Sequence, residues 1–432
     1  VVEDPRKIAG YARDALLKAG AEKAQCLLTQ SDKHEMNVDA GKLSLLRTTF
    51  DTRLALTALD GQRRGTSAGN QSDRAAVDRA VAECLDIARA SQPDEAHDIA
   101  ASQPAASFQA GDERPDLERM YFRLDELLDE IRSRHPKAVL RQAYVDFTHT
   151  RSYFVNSNGV DFAAHKGVYH GVLMFSSKED GKVSSFNYTG FAVKNLDQPL
   201  LQCGSVATLL RQSGEQTSTR PVDGKFVGEV IITPDCLGDT LYFLVRSLSD
   251  FALVSGTSIY KDSLDQVIAS PQLTLHSRPV SDEICDGYFV TGDGYAAANS
   301  TVVDQGVLKT FMLSLYGARK TGKARSVNDG SAWVMEPGTT SLEDMVKSVD
   351  RGVLMARFSG GSPSNNGDFS GVAKNSYLIE DGRIAYPLSE TMVSGNFAGM
   401  LRSIRAVSTE RVNYGQAILP WVVASGVTIS GK

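Results

Sequence analysis

The chain has 432 residues, 46 Lys+Arg against 52 Asp+Glu, and a formal net charge of −6. Charged residues at 23% and hydrophobic residues at 42% are ordinary globular values, so disorder is excluded as the dominant state. The small acidic excess argues against a protein that binds nucleic acid by neutralising phosphates. Such a length buries a full core and allows about two or three domains. The five cysteines, Cys26, Cys84, Cys203, Cys236 and Cys285, are scattered without C-x-x-C pairs, which fits neither a disulfide framework nor a zinc ribbon. Residues 1–20 show no apolar signal-peptide core, and residues 417–429 are broken by Pro420 and Gly426. The expectation is a reduced, soluble, cytoplasmic protein.

In chain order, residues 5–19 read as a helix with Ile8, Ala12, Leu16 and Leu17 on one face and Gly20 as its stop. Four short β runs follow, at 24–30, 34–39, 42–49 and 53–59, punctuated by Gly41 and Asp60-Gly61. Ser72 is the expected N-cap of a second helix to Ala90. Residues 91–115, with Pro93, Pro104 and Pro115, read as an exposed loop before a helix ending near Ser133. From 138 to 193 the text is β, in three runs joined at Asn158-Gly159 and Asp180-Gly181, dipeptides suited to type I′ turns. Residues 200–221 look helical and break at 213–221, where the domain boundary is placed. A strand at 226–233 leads into one long helix, 234–253, with Leu237, Leu241, Leu244, Leu248 and Phe251 inward. The remainder is strands with glycine-bearing turns, interrupted by short helices near 309–321, 341–349 and 396–406. The fold class is α+β in two domains: an N-terminal sheet-and-helix domain, 1–220, and a C-terminal β-rich, barrel-like domain, 221–432.

Several patterns suggest chemistry. Gly65-Thr66-Ser67-Ala68-Gly69 fits the G-x-S-x-G elbow, but a helix and a β-meander precede it, not the parallel sheet that an elbow needs. Small residues at a strand end explain the run as well. Gly317–Lys323 has P-loop spacing until Ala324 replaces the Mg²⁺-binding hydroxyl, and a Gly-ended, basic helix terminus is the better account. His34-Glu35 has no second His in reach; His165 and His170 fall on opposite strand faces; His97, His135, His149 and His276 are isolated. No metal site is legible. Asp282, Glu283 and Asp286 near Cys285 read as a solvated loop, with a catalytic acid/base pair as the rival.

The second half carries longer and more specific text. Residues 333–341 lead into the helix at 342–349, followed by Gly367-Asp368-Phe369-Ser370-Gly371, residues 376–380, Asp381-Gly382, residues 384–387 and Ser394-Gly395-Asn396. In that order these blocks resemble the C-terminal half of the TldD/PmbA family, also called modulators of DNA gyrase. The first half agrees in its opening helix, Gly41-Lys42-Leu43, the strand at 54–59, Asp60-Gly61 and residues 65–70. Nearly the whole chain is covered.

The resemblance implies a cytoplasmic α+β protein of a zinc-peptidase family that processes peptides. TldD-type chains of that family carry an H-E-x-x-x-H helix and a C-terminal Cys as metal ligands; PmbA (TldE)-type chains lack them and pair with the first kind. Here the helix in question reads Gly238-Asp239-Thr240-Leu241-Tyr242-Phe243-Leu244-Val245-Arg246, without His or Glu. No Cys lies beyond Cys285, and the stretch corresponding to the Cys ligand is residues 410–416. This chain therefore resembles a PmbA/TldE-type subunit, with no catalytic or metal-binding residues of its own. Zinc is expected in a TldD-type partner, with a peptide as substrate and a homodimer when the chain is alone. Neither direct nucleic-acid binding nor a membrane is expected. Gly367, Asp368, Phe369, Ser370 and Gly371 are the candidate wall of a peptide groove in which the peptide adds as a strand, since glycine permits close backbone approach. Their rival reading is an ordinary turn in which Asp368 bonds its own backbone. The alternatives for the whole chain are a regulator acting on DNA gyrase or a toxin–antitoxin system and, less well supported, a stand-alone hydrolase using Ser67.

Overall fold

The computed structural model describes residues 4–360, 363–389 and 391–431. The end residues 1–3 and 432 of the two expected domains lie outside them. The first half holds helices α1 (Pro5–Lys18), α2 (Arg74–Ala90), α3 (Leu117–Arg134) and α4 (Val206–Glu215). Its strands are β1 (Lys23–Asp39), β2 (Lys42–Asp60), β3 (Arg63–Gly69), β4 (Ala106–Ala110), β5 (Ala138–Asn156), β6 (Asp161–Glu179), β7 (Lys182–Val183) and β8 (Asn187–Val193). They join in the order β3-β2-β1-β5-β6-β4, with β7 and β8 also on β6. All of these pairings are antiparallel except β4 with β6.

Strict alternation divides this sheet into two unlike faces. Cys26, Leu28, Met36 and Val38 of β1 point to one side, under α1, α2 and α3. The other side carries Thr29, Lys33 and Glu35, with Asp146, Thr148, Thr150 and Ser152 beside them on β5 and Lys166 and His170 on β6. Along β2, β3 pairs only with residues 54–60, so residues 42–53 form an open edge among the described residues. Leu43, Leu45, Leu46 and Phe50 stand exposed there, Phe50 by 74%.

The second half runs β9 (Lys225–Ile232), α5 (Pro234–Ser247), α6 (Asp250–Val254), β10 (Leu275–Ser277), β11 (Ser300–Asp304), β12 (Val307–Leu308), α7 (Leu315–Thr321), β13 (Trp333–Met335) and α8 (Leu342–Lys347). It continues with β14 (Arg351–Met355), β15 (Arg357–Gly360), β16 (Asp368–Lys374), β17 (Tyr377–Glu380), β18 (Arg383–Pro387), β19 (Thr391–Asn396), α9 (Phe397–Arg402), β20 (Ala406–Asn413) and β21 (Ala417–Ser430). One sheet contains all these strands and branches at β21, which pairs with β13, β9, β19 and β20. Helices packed on mainly antiparallel strands make the chain α+β, as expected.

Several elements differ from the sequence reading, each for a physical reason. The four short β runs are two long strands, because polar residues on the uncovered face hide the continuity of β1 and β2. Asp73, not Ser72, caps α2 by accepting the Ala76 N–H at 3.1 Å. The 91–115 loop contains β4, a strand of five residues that exists only because β6 offers its edge. At Asn158-Gly159 only Gly159 has positive φ; Asn156 Oδ1 accepts from Asn158 N and Val160 N and shapes a wider loop. Asp180-Gly181 does form the type I′ turn. The long helix stops at Ser247, because the Leu248 carbonyl accepts the Met312 N–H and Asp250 accepts from Ser314, leaving Phe251 outward. That intruding segment also explains why residues 309–314 are not helical.

Gly65 lets β3 meet α2. A Cβ there falls 1.9 Å from the Cys84 carbonyl oxygen, whereas one on Gly69 meets nothing. Gly65→Ala is expected to destabilise the chain by about 2–3 kcal/mol, with Gly69→Ala within about 1 kcal/mol of the parent, read by urea unfolding.

Candidate functional site

Pro234 at the first helical position and Asp235 in the first turn start α5, while Leu237, Leu241 and Leu244 fix its inner face. Asp235 and Asp239, four residues apart, share another face. This is the helix to which the resemblance assigns a zinc motif in TldD-type chains. Residues 410–416, assigned the missing Cys, come to the same place: Tyr414 is buried, and its hydroxyl lies 2.8 Å from Ser205 Oγ. Asp235 accepts hydrogen bonds from Ser205 and Tyr414, although burial still pushes its carboxyl above the usual range. Burial and the Asp235 charge together hold the Tyr414 hydroxyl far above its ordinary value. Arg357 adds a positive charge, stacks 3.5 Å from the Tyr188 ring centroid and donates to the Tyr188 carbonyl.

These residues do not fit zinc. The metal needs several unprotonated nitrogen, sulfur or carboxylate donors. Apart from the Asp235 carboxylate, already engaged by Ser205, Tyr414 and the Arg357 charge, the junction offers hydroxyls and a guanidinium, and no metal-holding group of three or more His, Cys, Asp or Glu occurs among the described residues.

The five groove candidates lie next to this helix. Gly367, at φ 94°, abuts α5 so closely that a Cβ would stand 3.0 Å from Phe243. Phe369 is buried and stacks on Phe397 at 4.3 Å, whereas Asp368 and Ser370 are exposed. Asp368 to Gly371 pair with β19, and Gly371 also pairs with Gly360 of β15. The Asp368 carbonyl accepts the Ser364 N–H, and its carboxylate accepts from Asn366 and Asn396.

A second constellation escaped the sequence reading. On the polar face of the first sheet, charges alternate in an unbroken chain. Arg47 pairs with Glu35 at 2.7 Å, Glu35 with Lys33 at 2.7 Å, and Lys33 with Asp146 at 3.3 Å. His170 then lies between Asp146 and Asp286, 3.2 Å from each, and Lys166 closes the row 2.7 Å from Asp286. Asp286 is therefore no solvated loop residue: it reaches from the second half onto the first sheet. Both ring nitrogens of His170 face carboxylates, so both donate and the ring is an imidazolium. Burial disfavours that charge, but the hydrogen bonds and charges of Asp146 and Asp286 prevail and raise His170 to about 9. Asp286 is also partly desolvated, yet His170 and Lys166 hold it far below the usual carboxylate range. Cross-strand register puts Asp146 opposite His170, and only the fold reveals it.

The remaining patterns are structural. Ser67 is buried on β3 and donates to the Ala80 carbonyl at 2.8 Å. Gly322 is the left-handed C-cap of α7, after the basic residues Arg319 and Lys320. Three of the histidines read as isolated have neighbours: His149 lies 6.1 Å from His165 between ring centroids, His97 stacks on Tyr316, and His276 sits 3.0 Å from both Thr301 and Glu336.

A two-sheet α+β protein whose halves meet at Asp235, Tyr414 and Ser205 can be compared with known proteins. Residues 224–431 match the PmbA/TldA metallopeptidase C-terminal domain. The metalloprotease PmbA of Escherichia coli O157:H7 is 25% identical over 98% of this chain and 98% of its own length. A metalloprotease PmbA homolog of Haemophilus influenzae is 23% identical over 94% of this chain and 92% of its own. Among solved structures, TldE from Thermococcus kodakarensis superposes with a TM-score of 0.82 at 19% identity, covering 98% of this chain and 99% of its own. A candidate modulator of DNA gyrase from Bacteroides thetaiotaomicron gives 0.85 at 21% identity, covering 100% of both chains. The fold class is thus that of a proteolytic family. Residues 224–431 belong to the PmbA/TldD family, and the relatives of 23–25% identity extend the likeness over nearly the whole chain.

The raised value of His170 sets a pH dependence. Its contribution to stability is complete below about 6.5, the ordinary histidine value, and is lost as the pH rises through about 9. Relative to His170→Gln, the parent is expected to lose up to about 3 kcal/mol of unfolding free energy between those limits, read by urea titration across the range.

Proposed function

We propose that this chain is a PmbA/TldE-like, non-catalytic subunit that shapes the substrate chamber of a zinc peptidase, its two domains meeting near Pro221. The observation that carries this reading is the meeting of α5 with the Tyr414 segment. The helix and the 410–416 segment, to which the resemblance assigns metal ligands in a TldD-type chain, adjoin here, and Asp235, Tyr414, Ser205 and Arg357 lie around the junction. In this reading the zinc, its Lewis acidity and its activated water belong to a TldD-type partner. The exposed Asp368 and Ser370, between Gly367 and Gly371 and beside α5, supply part of a wall for an extended peptide.

An open β edge with four exposed apolar side chains supports a partner that adds to the first sheet, since such edges seek pairing. A homodimer on the same edge is the state of the chain alone. The net charge of −6 gives no support to direct nucleic-acid binding. Five free cysteines suit a reducing cytoplasm, and no helix among the described residues is long and apolar enough to cross a membrane.

Co-purification with a TldD-type chain, followed by metal analysis and peptide cleavage on the mixture and on each part, tests the proposal. Zinc and chelator-sensitive cleavage are expected in the mixture and not in this chain alone. Stoichiometric zinc and cleavage by this chain after dialysis would overturn it. The double variant Leu46→Lys, Phe50→Lys is expected to weaken pairing by about tenfold or more while leaving the chain's own melting temperature nearly unchanged.

A further inference from the structure

On the same polar sheet face, beyond Lys166, lies a cavity of about 260 Å³ between β1, β5 and β6 and the segment 287–292. Three successive cross-strand pairs of β5 and β6 line it: Thr150 with Lys166, Ser152 with Ala164, and Phe154 with Phe162. The wall thus grades from cationic, through hydroxyl and small, to aromatic within five residues of each strand. Phe289 and Val290 of the second half cover the aromatic end, where Phe289 stacks on Phe108 at 5.2 Å. Ala164 supplies the width.

The cationic end has unused capacity. The Lys166 ammonium carries three N–H donors and gives one to Asp286 Oδ1 and one to the Gly287 carbonyl, each at 2.7 Å. Counted along the charge row, four cations (Arg47, Lys33, His170, Lys166) alternate with three anions (Glu35, Asp146, Asp286), so both ends are cationic: exposed Arg47 at one and Lys166, at the cavity, at the other. One anionic group beside Lys166 completes the alternation. The volume, below the roughly 300–1,000 Å³ of drug-sized pockets, suits a single residue.

The geometry points to a subsite for the C-terminal residue of a peptide, its carboxylate on Lys166 and a large apolar side chain against Phe154 and Phe162. This rests on the peptide-handling role proposed above and assigns the end of the chain that this subunit holds. The Thr150 and Ser152 hydroxyls are the partners for the terminal amide, which a plain fatty acid would leave unmet.

Calorimetric titration of the full chain with N-acetyl-phenylalanine, its carboxamide and octanoate tests the assignment without any partner or activity. The acid is expected to bind at least about tenfold more tightly than the carboxamide and than octanoate. Lys166→Met is expected to abolish the preference for the acid, and Ala164→Trp, which fills the cavity and spares the charge row, to abolish binding. Equal binding of acid and carboxamide, equal binding of octanoate, full binding by a folded Ala164→Trp variant, or no binding at all would each overturn it. Those failures leave the co-purification result untouched, so loss of the subsite and loss of the subunit role are distinguishable.

Discussion

Asp286 reaches the first sheet with its carboxylate between Lys166 and His170, and these cations offset the cost of its partial withdrawal from water. The arrangement of the molecule follows from that pairing. His170 must be charged, so Asp146 must stand behind it; Asp146 in turn draws Lys33, and Lys33 draws Glu35. A sheet face that looks merely polar in sequence becomes a docking row for the second half of the chain. The helices are thereby confined to the opposite, apolar face, where Cys26, Leu28, Met36 and Val38 meet α1, α2 and α3.

The same seating brings α5 and the Tyr414 segment together. The Ala192 N–H bonds to the Tyr414 carbonyl at 2.8 Å, and Ser205 lies behind the Tyr414 hydroxyl. Asp235 packs against these groups and accepts from Ser205 and Tyr414, which ties its carboxylate into a hydrogen-bonded junction, while the Arg357 charge opposes a divalent cation there. The chain also offers an open strand edge, exposed polar groups and a graded pocket.

Much of this was legible before any coordinates. Amphipathic spacing placed α1, α2 and α3, and the dipeptides at Asp180 and Asp381 marked tight turns of positive φ. Helix α5 began where Pro234 put it, and the absence of His and Glu from it was plain in the text. The failures share a cause. β4 depends on an edge 56 residues away, the break after Ser247 on a segment near Met312, and the G-x-S-x-G run on Cys84 within α2. Asp286 sat in an acidic cluster that reads as solvated, because its cations lie more than a hundred residues upstream.

The sequence by itself determined the class, the first three helices and the absence of His and Glu from α5, since these depend on residue type and local period alone. Tertiary structure decided which face of the first sheet receives the second half, what Asp286 and His170 do, and that a lysine ends one side of a pocket and aromatics the other. Those are properties of register and of long-range pairing. A one-residue shift of β5 against β6 would put Asp146 and His170 out of reach of each other, and no local pattern specifies that register in advance.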